Sequence, residues 1–441
     1  MQSSIPSPES YGELIRAAQN APEQLEHLYQ AARRAHRAGQ FAQDINALYQ
    51  ESSENVLYAA WHYRLQQSTQ EEWFSRIGSN WRLAILMSVL LGLILWGLSD
   101  PSLVINAIPY LAFIGAPIIA LFLTSFFFII TRHNTARLAT ALLGLVGFTV
   151  YVLVMVSRLD AANDYLPLAF LHLVLLAWGT IAIYLAGWRF PTRDTFAFLL
   201  KSLEMLGTAG VYIIVGGIFV GLTYVMFEAI GVDLSSPIQR LLILGGGGLI
   251  PLVAVLSVYD PKGGLTQQEF RRGFARILMI GLHAILPLSL LILILFLLAL
   301  PFNFFQAYDN RETLIVFNVL LFGILGLLIG AIPLTAGEFS LTYQKWLRLE
   351  VGALAGLVIV VSLYALSAIL YRTAQDQLTM NRLTVIGWNS INIVLLGLLL
   401  YWIIRPGNRS WGEAAQKVFR PGAYAYLAWG GFLILALPIL F

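Results

Sequence analysis

Beyond residue 82, the sequence alternates between long apolar runs and short polar gaps. A helix needs about 20 mainly apolar residues to cross the hydrocarbon core of a bilayer. Eleven runs meet or approach this length, and each predicts a membrane-spanning helix. They cover residues 83–99, 103–130, 137–157, 165–187, 205–227, 238–258, 277–300, 313–334, 351–371, 384–404 and 424–441. The second run is long enough to tilt, or to kink at Pro109 or Pro117.

The first 76 residues follow a different pattern, with apolar residues at helical spacing among many polar ones. One helix is predicted over residues 22–39, with Gly39 suited to a C-terminal cap. Further short helices are predicted at residues 11–18, 41–49 and 54–65. Residues 1–76 are therefore predicted to form a small soluble helical domain on the cytoplasmic face, and residues 77–441 the transmembrane domain. The soluble domain either caps the membrane domain or docks a cytoplasmic protein partner.

Composition supports a membrane protein and excludes several other classes. Of the 441 residues, 58% are hydrophobic and 12% are charged, whereas a typical soluble domain has roughly 25% charged residues. The absence of cysteine excludes disulfides, thiolate nucleophiles and cysteine metal ligands. No two of the six histidines have the spacing of a metal-binding pair. The prediction is an all-α, polytopic transmembrane helix bundle without metal or other cofactor, rather than a soluble enzyme or a disulfide-rich secreted protein.

The basic residues predict the orientation of the bundle. With the N-terminus in the cytoplasm, 22 of the 27 Lys and Arg residues fall on the cytoplasmic side, as the positive-inside rule requires. The remaining five are Arg158, Arg240, Arg311, Arg372 and Arg382. An odd number of spans then places the C-terminus outside the cell membrane. We attribute the net charge of +3 to this sorting around membrane lipids rather than to nucleic-acid binding.

The predicted outer loop between the ninth and tenth spans contains two of those five arginines, and a recognisable motif continues from it. An arginine is followed by a Leu-Thr turn and then by an Asn-Arg pair that enters the next helix. The matching residues are Arg372, Leu378, Thr379, Asn381 and Arg382. Residues 371–389 thereby resemble the signature of an uncharacterised bacterial multi-pass membrane family, domain of unknown function 4153. Gln377 occupies the position where that signature has glycine. The resemblance implies a polytopic membrane protein and no particular activity.

The same segment is the predicted binding site. Translocating two arginines opposes the orientation signal, which suggests that they are retained for a ligand. Asn389 and Asn392 lie three residues apart on one helix face, below Arg382. The predicted binding residues are Arg372, Thr379, Asn381, Arg382, Asn389 and Asn392. The alternative is that each arginine reaches to phosphate headgroups beside the end of its span.

Lys201 and Glu204 form a second candidate site at the start of the fifth span. Residues three apart on a helix are neighbours, so these two side chains are predicted to pair. Ionisable groups at membrane depth are costly and mark functional sites. We therefore consider a coupling pair that faces an inner cavity and exchanges protons. The alternative is a structural pair that closes the inner end of the helix or belongs to an amphipathic lead-in.

Other features of the spans predict packing rather than chemistry. His172 and His283 are each predicted to hydrogen-bond within the bundle. Glycines four residues apart occur at 217 and 221, 326 and 330, and 352 and 356, and such pairs allow close helix packing. Four consecutive glycines at 245–248, followed by Pro251, predict an unwound segment in the sixth span, as found at many transporter binding sites.

Three functions are consistent with these patterns. The first is a transporter- or permease-like protein, with coupling through Lys201 and Glu204. The second is a membrane scaffold or sensor that docks a cytoplasmic partner through its N-terminal helices. The third is an enzyme that acts on a lipid-linked substrate at the outer face, with arginines holding phosphate. No catalytic residues are predicted, because the sequence has no evident carboxylate cluster or nucleophile–base pair, and this places the third function last.

Overall fold

A computed structural model gives the structure of residues 11–441 apart from short segments. The structure does not describe residues 35–37, 53, 132–134, 161–162, 262, 269, 271–273, 310, 335–339 and 406–410. The side chains of residues 33–34, 66–79, 274, 311–313 and 341 also lie outside the description. The chain divides into two compact units, Met1–Arg82 and Leu83–Phe441, which we call the N-terminal unit and the membrane unit.

Short amphipathic helices form the N-terminal unit. Helix α1 is Gly12–Ala17, α2 is Pro22–Arg34 and α3 is Ala38–Glu51, while α4 comprises Val56–Leu98. Their apolar faces pack around Phe41, which is fully buried. Its ring contacts those of Tyr11, Tyr29 and Trp61, with centroids 5.5 to 5.9 Å apart. The apolar faces that periodicity predicts in this unit are therefore covered by one another.

The predicted helix boundary at Gly39 is wrong. Helix α2 ends at Arg34, and Gly39 lies inside the first turn of α3. The reason is tertiary: Phe41 of α3 and Leu25 of α2 are buried in the same core. The chain therefore has to reverse before Phe41, and α3 begins earlier than local sequence suggests.

The membrane unit is helical, apart from one short hairpin, throughout the part that the structure describes. Its remaining helices are α5 (Tyr110–Thr131), α6 (Thr135–Arg158), α7 (Tyr165–Ala186), α8 (Thr192–Ala229), α9 (Ser236–Arg240), α10 (Ile250–Val258), α11 (Phe274–Ala299), α12 (Gln306–Asp309), α13 (Arg311–Ala331), α14 (Leu341–Gln375), α15 (Met380–Ile404), α16 (Trp411–Gln416) and α17 (Phe419–Leu440).

Eleven stretches of helix among the described residues are long and apolar enough to cross a membrane. We number them as spans 1 to 11. They are Asn80–Leu98, Tyr110–Thr131, Thr135–Arg158, Tyr165–Ala186, Thr192–Ala229, Ser236–Val258, Ala275–Asn303, Leu314–Ala331, Thr342–Gln375, Met380–Ile404 and Trp411–Leu440. The predicted all-α polytopic fold with eleven spans is thus confirmed. Span 5 is longer than predicted, because the polar lead-in continues the same helix from Thr192.

The second span begins later than its apolar run. A two-stranded antiparallel hairpin pairs Val104–Ile105 with Ile108–Pro109, and the helix starts at Tyr110. Asn106 and Ala107, between the strands, have φ angles of 49° and 63°. Positive φ at both central residues is the conformation of the tight hairpin turn that matches strand twist. Pro109 therefore ends a strand, whereas Pro117 lies inside the helix.

The sixth span is interrupted but not unwound. Helix α9 is followed by a π-helical turn, Leu241–Gly245, and a further turn precedes α10. Backbone hydrogen bonds continue through this region, from Gly248 N to Leu244 O and from Leu249 N to Gly246 O. The glycines therefore widen the helix instead of breaking it, because each turn keeps a carbonyl partner within the chain.

Glycine also brings spans 1 and 6 into backbone contact. A Cβ atom added at Gly92 would lie 2.4 Å from the carbonyl oxygen of Gly245, and one added at Gly248 would lie 2.6 Å from Cα of Gly92. Two of the predicted glycine pairs also face neighbouring side chains, such as Leu282 beside Gly330. A Cβ at position 217 or 221 would have no described neighbour within 4 Å.

The apolar cores position span 5 between two groups of helices. Phe198 belongs to a core shared with spans 1, 2, 4 and 6. Phe196, two residues away, belongs to a core shared with spans 7 to 11. The beginning of span 5 therefore lies where the two cores meet. We call the side of the membrane unit on which span 5 begins the basic side, because most of the Lys and Arg residues that the structure describes in this unit lie toward it.

Candidate functional site

Lys201 and Glu204 form an ion pair that is almost entirely buried. Lys201 Nζ donates to Glu204 Oε2 over 2.7 Å. The two side chains are only 5% and 8% exposed. The pairing follows from local geometry, because residues i and i+3 of one helix face the same way. The predicted pair is therefore present, within a continuous helix rather than in a separate lead-in.

The end of span 6 provides a second partner for Lys201. Lys201 Nζ also donates to the carbonyl oxygen of Val258 over 2.8 Å. Val258 is the last residue of α10, and the last carbonyls of a helix have no partner within it and carry partial negative charge. The ammonium also lies 4.8 Å from the centre of the Phe270 ring. Lys201 thus joins span 5 to the end of the interrupted sixth span.

A small cavity of about 40 Å³ lies beside Lys201 on the basic side of the membrane unit. Spans 2, 4, 5 and 6 and the segment after span 6 line it, and its walls are mostly apolar. Its polar lining residues include Lys201, Ser202 and Tyr259. Trp178 Nε1 donates to Ser202 Oγ over 3.1 Å and joins spans 4 and 5. The cavity therefore combines mostly apolar walls with one charged side chain and a few neutral polar groups.

Tyr259, the first residue after span 6, is a neutral polar residue in the lining of the cavity. Burial raises the pKa of its phenol well above the ordinary value, with further contributions from the negative charges of Asp260 and Asp194. The hydroxyl therefore remains protonated at physiological pH and available as a donor. The side chain of Gln268 forms hydrogen bonds with the backbone of Asp260 and Gly263. These bonds connect the two ends of the segment.

An ion pair in this position is difficult to explain by stability alone. Removing two charges from water costs several kcal/mol per ion, and mutual attraction recovers that cost only with well-placed additional hydrogen bonds. A hydrophobic pair of similar volume would often be as stable or more stable. Inside a membrane such groups mark functional sites. The pair and its cavity are therefore the candidate site that the structure supports most directly.

The predicted outer binding site is arranged differently. Arg382 donates to Asp376 Oδ2 over 2.6 Å and to the carbonyl of Gln377 over 2.7 Å. Thr379 is the N-cap of α15, and its hydroxyl accepts from the backbone N–H of Arg382. Arg372 lies in the last turn of α14, where a positive charge suits the helix dipole. These contacts hold the loop between spans 9 and 10 together.

Asn381 is half-buried at the start of α15, and the two deeper asparagines bond to other spans. Asn389 Nδ2 donates to Asn318 Oδ1 of span 8 over 2.9 Å. Asn392 Oδ1 accepts from the hydroxyl of Tyr426 of span 11. Among the described residues, no hydrogen bond connects these asparagines with Arg372 or Arg382. The six predicted residues are thus separated into a loop group and two interhelical contacts, and a ligand role for them stays a prediction.

The two histidines in the spans are hydrogen-bonded, as expected for packing roles. His172 Nε2 accepts from Trp388 Nε1 over 3.2 Å, while its Nδ1 lies 2.6 Å from the carbonyl of Leu168. His283 Nδ1 lies 2.8 Å from the carbonyl of Met279. In His172 both ring nitrogens therefore have a partner, which favours the neutral ring.

Sequence reasoning found the ion pair but missed its surroundings. The carbonyl of Val258 and the Phe270 ring are 57 and 69 positions from Lys201 along the chain. No local pattern connects such positions. One signal was available: the polar segment after span 6 contains Phe270 and Tyr259, whose aromatic rings are typical of membrane interfaces.

The hydrogen bond between the Thr379 hydroxyl and the backbone N–H of Arg382 predicts that Thr379 stabilises the start of α15. We expect Thr379→Ala to lower the free energy of unfolding by about 1 kcal/mol, because α15 loses its N-cap acceptor. Thr379→Ser keeps that acceptor and should be close to the wild type. Reversible unfolding in mixed micelles would measure both. Equal stability of the alanine and serine variants would show that Thr379 does not act as a cap and would favour a ligand role.

Comparison with known proteins identified no relative of this chain. No family model matches it, and no match was found among curated proteins or solved structures. The resemblance of residues 371–389 to domain of unknown function 4153 therefore stays a prediction. Function is inferred below from the geometry of the site.

Proposed function

We propose that this protein is a transporter- or permease-like carrier of anionic solutes in a cell membrane. The observation that carries the proposal is the buried Lys201–Glu204 pair, whose lysine lines a mostly apolar cavity. A proton-coupled carrier needs a group that binds its solute and a group whose charge changes during the cycle. An ammonium and a carboxylate in contact supply both.

The sixth span supports the same function. Many transporters bind substrate where a span is discontinuous, because the ends of half-helices present partial charges to ions. Here the π-helical turn and the turn after it separate α9 from α10. Lys201 contacts the carbonyl of Val258, at the end of α10 that lies away from this interruption. A change in the charge of the ion pair would therefore act directly on α10.

The orientation proposed with this function has the N-terminus in the cytoplasm and the C-terminus outside. With eleven spans, the sequence assigns 22 of its 27 basic residues to one side, which is the side that the positive-inside rule assigns to the cytoplasm. The cavity then lies toward the cytoplasmic side, since Lys201 is near the start of span 5. The loop of Arg372 and Arg382 faces outward.

The proposed carrier is tested by flux into liposomes. Purified protein would be reconstituted and screened with radiolabelled short carboxylates and single-chain amphiphiles, with and without a pH gradient. We expect saturable uptake of at least one anionic solute, accelerated by a gradient that drives protons in the same direction. Glu204→Gln should reduce acceleration by the gradient. Lys345→Gln, which removes an exposed lysine in span 9, is the matched control and should behave as the wild type.

Two results would count against this function. Absence of flux for every solute in the screen would refute a carrier. Flux that is identical in Glu204→Gln and wild type under all gradients would refute coupling through the ion pair. Arg382→Ala tests separately whether the loop between spans 9 and 10 binds the solute. Slower uptake with an unchanged dependence on the gradient would assign solute binding to that loop.

The N-terminal unit favours the carrier over the scaffold. The scaffold hypothesis required apolar helix faces that await a protein partner. In the structure most aromatic and aliphatic residues of those faces pack on one another, with Phe41, Ile45 and Leu25 fully buried, while Val56 is 80% exposed. The apolar helix faces that suggested docking therefore form the core of the N-terminal unit.

A further inference from the structure

We propose that an anionic phospholipid binds on the basic side of the membrane unit, with its phosphate between Arg405 and Lys417 and one acyl chain along span 10. We call this place, where both cations approach Trp402, the Trp402 site. It contains none of the residues that line the cavity beside Lys201. The inference does not depend on the carrier function, because lipid binding can be measured without transport.

Two cationic side chains share one aromatic ring at the Trp402 site. The guanidinium carbon of Arg405 lies 5.7 Å from the centre of the Trp402 ring and 5.9 Å from the centre of the Tyr401 ring. Lys417 Nζ lies 5.0 Å from the centre of the same Trp402 ring. Cation–π attraction acts at distances up to about 6 Å. The rings therefore hold two like charges close together at the end of span 10.

Within the part of the chain that the structure describes, no carboxylate offsets these two charges. Glu413 of α16 lies four positions before Lys417, but its carboxylate pairs with Arg193 of span 5 over 3.5 Å. No described acidic side chain lies within ion-pair distance of Arg405 or Lys417. An aromatic ring attracts a cation through its quadrupole and has no net charge. The Trp402 site is therefore positively charged, and an anion would reduce the repulsion within it.

The end of span 10 does not supply negative charge to these cations either. The last carbonyls of a helix carry partial negative charge, but those at the end of α15 already accept from a third cation. Arg348 of span 9 donates from Nε to the carbonyl of Ile403 over 2.8 Å and from Nη2 to the carbonyl of Arg405 over 3.4 Å. Arg348 thereby fixes the end of span 10 against span 9 and adds positive charge beside the Trp402 site.

An apolar stripe on span 10 leads from Arg405 into the membrane. Val394, Leu398 and Tyr401 precede Arg405 at the spacing of one helix face. Their exposed fractions are 60%, 39% and 55%, so this face of the helix is open to lipid. An acyl chain that follows the stripe would bring its head group to Arg405, which is exposed at the end of the helix. The stripe therefore favours a lipid over a soluble anion.

The charges of the Trp402 site favour a head group with a net negative charge. A guanidinium offers paired N–H donors to phosphate oxygens, and an ammonium adds a compact positive charge. Each Lys or Arg near a membrane surface gains about 1 kcal/mol from anionic lipid. In phosphatidylglycerol the phosphate charge is not offset within the head group, whereas in phosphatidylcholine it is offset by the choline. We therefore expect the site to prefer phosphatidylglycerol.

Native mass spectrometry of the full-length protein tests this preference. The protein would be purified in a non-ionic detergent and titrated with dioleoyl phosphatidylglycerol or dioleoyl phosphatidylcholine. We expect saturable binding of one phosphatidylglycerol with at least fivefold higher affinity than phosphatidylcholine, which corresponds to about 1 kcal/mol. Glycerol 3-phosphate has the phosphate without acyl chains and should bind at least tenfold more weakly than phosphatidylglycerol.

Variants assign the binding to the Trp402 site. Arg405→Gln and Lys417→Gln should each weaken phosphatidylglycerol binding about fivefold, or about 1 kcal/mol, and leave phosphatidylcholine binding unchanged. Arg405→Lys keeps the charge and should retain most of the affinity. Arg276→Gln removes an exposed basic residue at the start of span 7, and Arg158→Gln removes one on the opposite side of the membrane unit. Both are controls that should bind phosphatidylglycerol as the wild type does.

Three results would overturn the inference. Equal affinity for the two lipids would refute selection of an anionic head group. An equal loss of affinity in Arg276→Gln and Arg405→Gln would show a general attraction of the basic side for anionic lipid instead of a site. Glycerol 3-phosphate binding as tightly as phosphatidylglycerol would assign the place to a soluble phosphate. If Arg405→Gln does not fold, Lys417→Gln decides between the outcomes, and all of them are independent of the flux that tests the carrier.

Discussion

Replacing Glu204 by leucine is expected to lower the free energy of unfolding by about 3–5 kcal/mol, the usual cost of leaving one buried charge without its partner. Lys201 would keep the Val258 carbonyl and the Phe270 ring. Neither contact carries the full negative charge of the Glu204 carboxylate, which lies 2.7 Å from an ammonium that is only 5% exposed. Lys201→Met alone should be destabilising for the same reason, because the buried Glu204 carboxylate would then lose its ion pair with the ammonium.

The double variant distinguishes a functional pair from a structural one. Lys201→Met combined with Glu204→Leu leaves two apolar side chains of similar volume, a change that is often neutral or stabilising for buried pairs. We expect stability within about 1 kcal/mol of the wild type, together with loss of coupled flux. Reversible unfolding in mixed micelles measures the first quantity, and uptake into liposomes measures the second. A double variant as unstable as the single ones would assign the pair a structural role.

Gly92→Leu is expected to have the second-largest effect, through the crossing of spans 1 and 6. Even the Cβ of the new side chain would lie 2.4 Å from the carbonyl oxygen of Gly245. That neighbour is backbone, so the strain cannot be relieved by a change of rotamer and the helices have to separate. Overpacking of this kind costs about 1–3 kcal/mol and sometimes more. The shift would also move α10, whose end contacts Lys201.

Gly97→Ala provides the matched control in the same helix. A Cβ at position 97 has no described neighbour within 4 Å, so the substitution should be neutral or stabilise by up to about 1 kcal/mol through helix propensity. Thermal unfolding followed by the fluorescence of a fused reporter would compare the variants. If Gly92→Leu were as stable as Gly97→Ala, the close approach of spans 1 and 6 would be refuted.

The number and type of secondary-structure elements could be predicted from sequence, because a helix in a membrane forms its backbone hydrogen bonds between residues that are close along the chain. Inside a bilayer each backbone N–H and C=O must find its partner within its own segment, and a helix does this with residues four positions apart. An apolar run of sufficient length therefore predicts a span without knowledge of its neighbours. The Lys201–Glu204 pair was predictable for the same reason, since three positions along one helix are a local distance.

The points at which helices begin, end or are interrupted were less predictable, because the conformation of a turn depends on the helices that pack against it. Apolar residues 103–109 resemble the start of a span, but they form a hairpin whose turn residues, Asn106 and Ala107, adopt positive φ. Four glycines at 245–248 suggested an unwound segment. The structure instead keeps backbone hydrogen bonds through them and uses Gly245 and Gly248 for contact with Gly92. The same residue type permits either outcome, and the neighbouring helix selects one.

Sequence alone determined that this chain is an eleven-span helical bundle with a charged pair at the start of span 5, because hydropathy and helical spacing act over short distances. Only tertiary structure decided that Lys201 lines a cavity and has the Val258 carbonyl and the Phe270 ring as further partners. In the tertiary structure, Asn389 of span 10 also forms a hydrogen bond with Asn318 of span 8, and Asn392 of span 10 forms one with Tyr426 of span 11. Such contacts depend on which helices are adjacent, and adjacency is set by the packing of all the spans together.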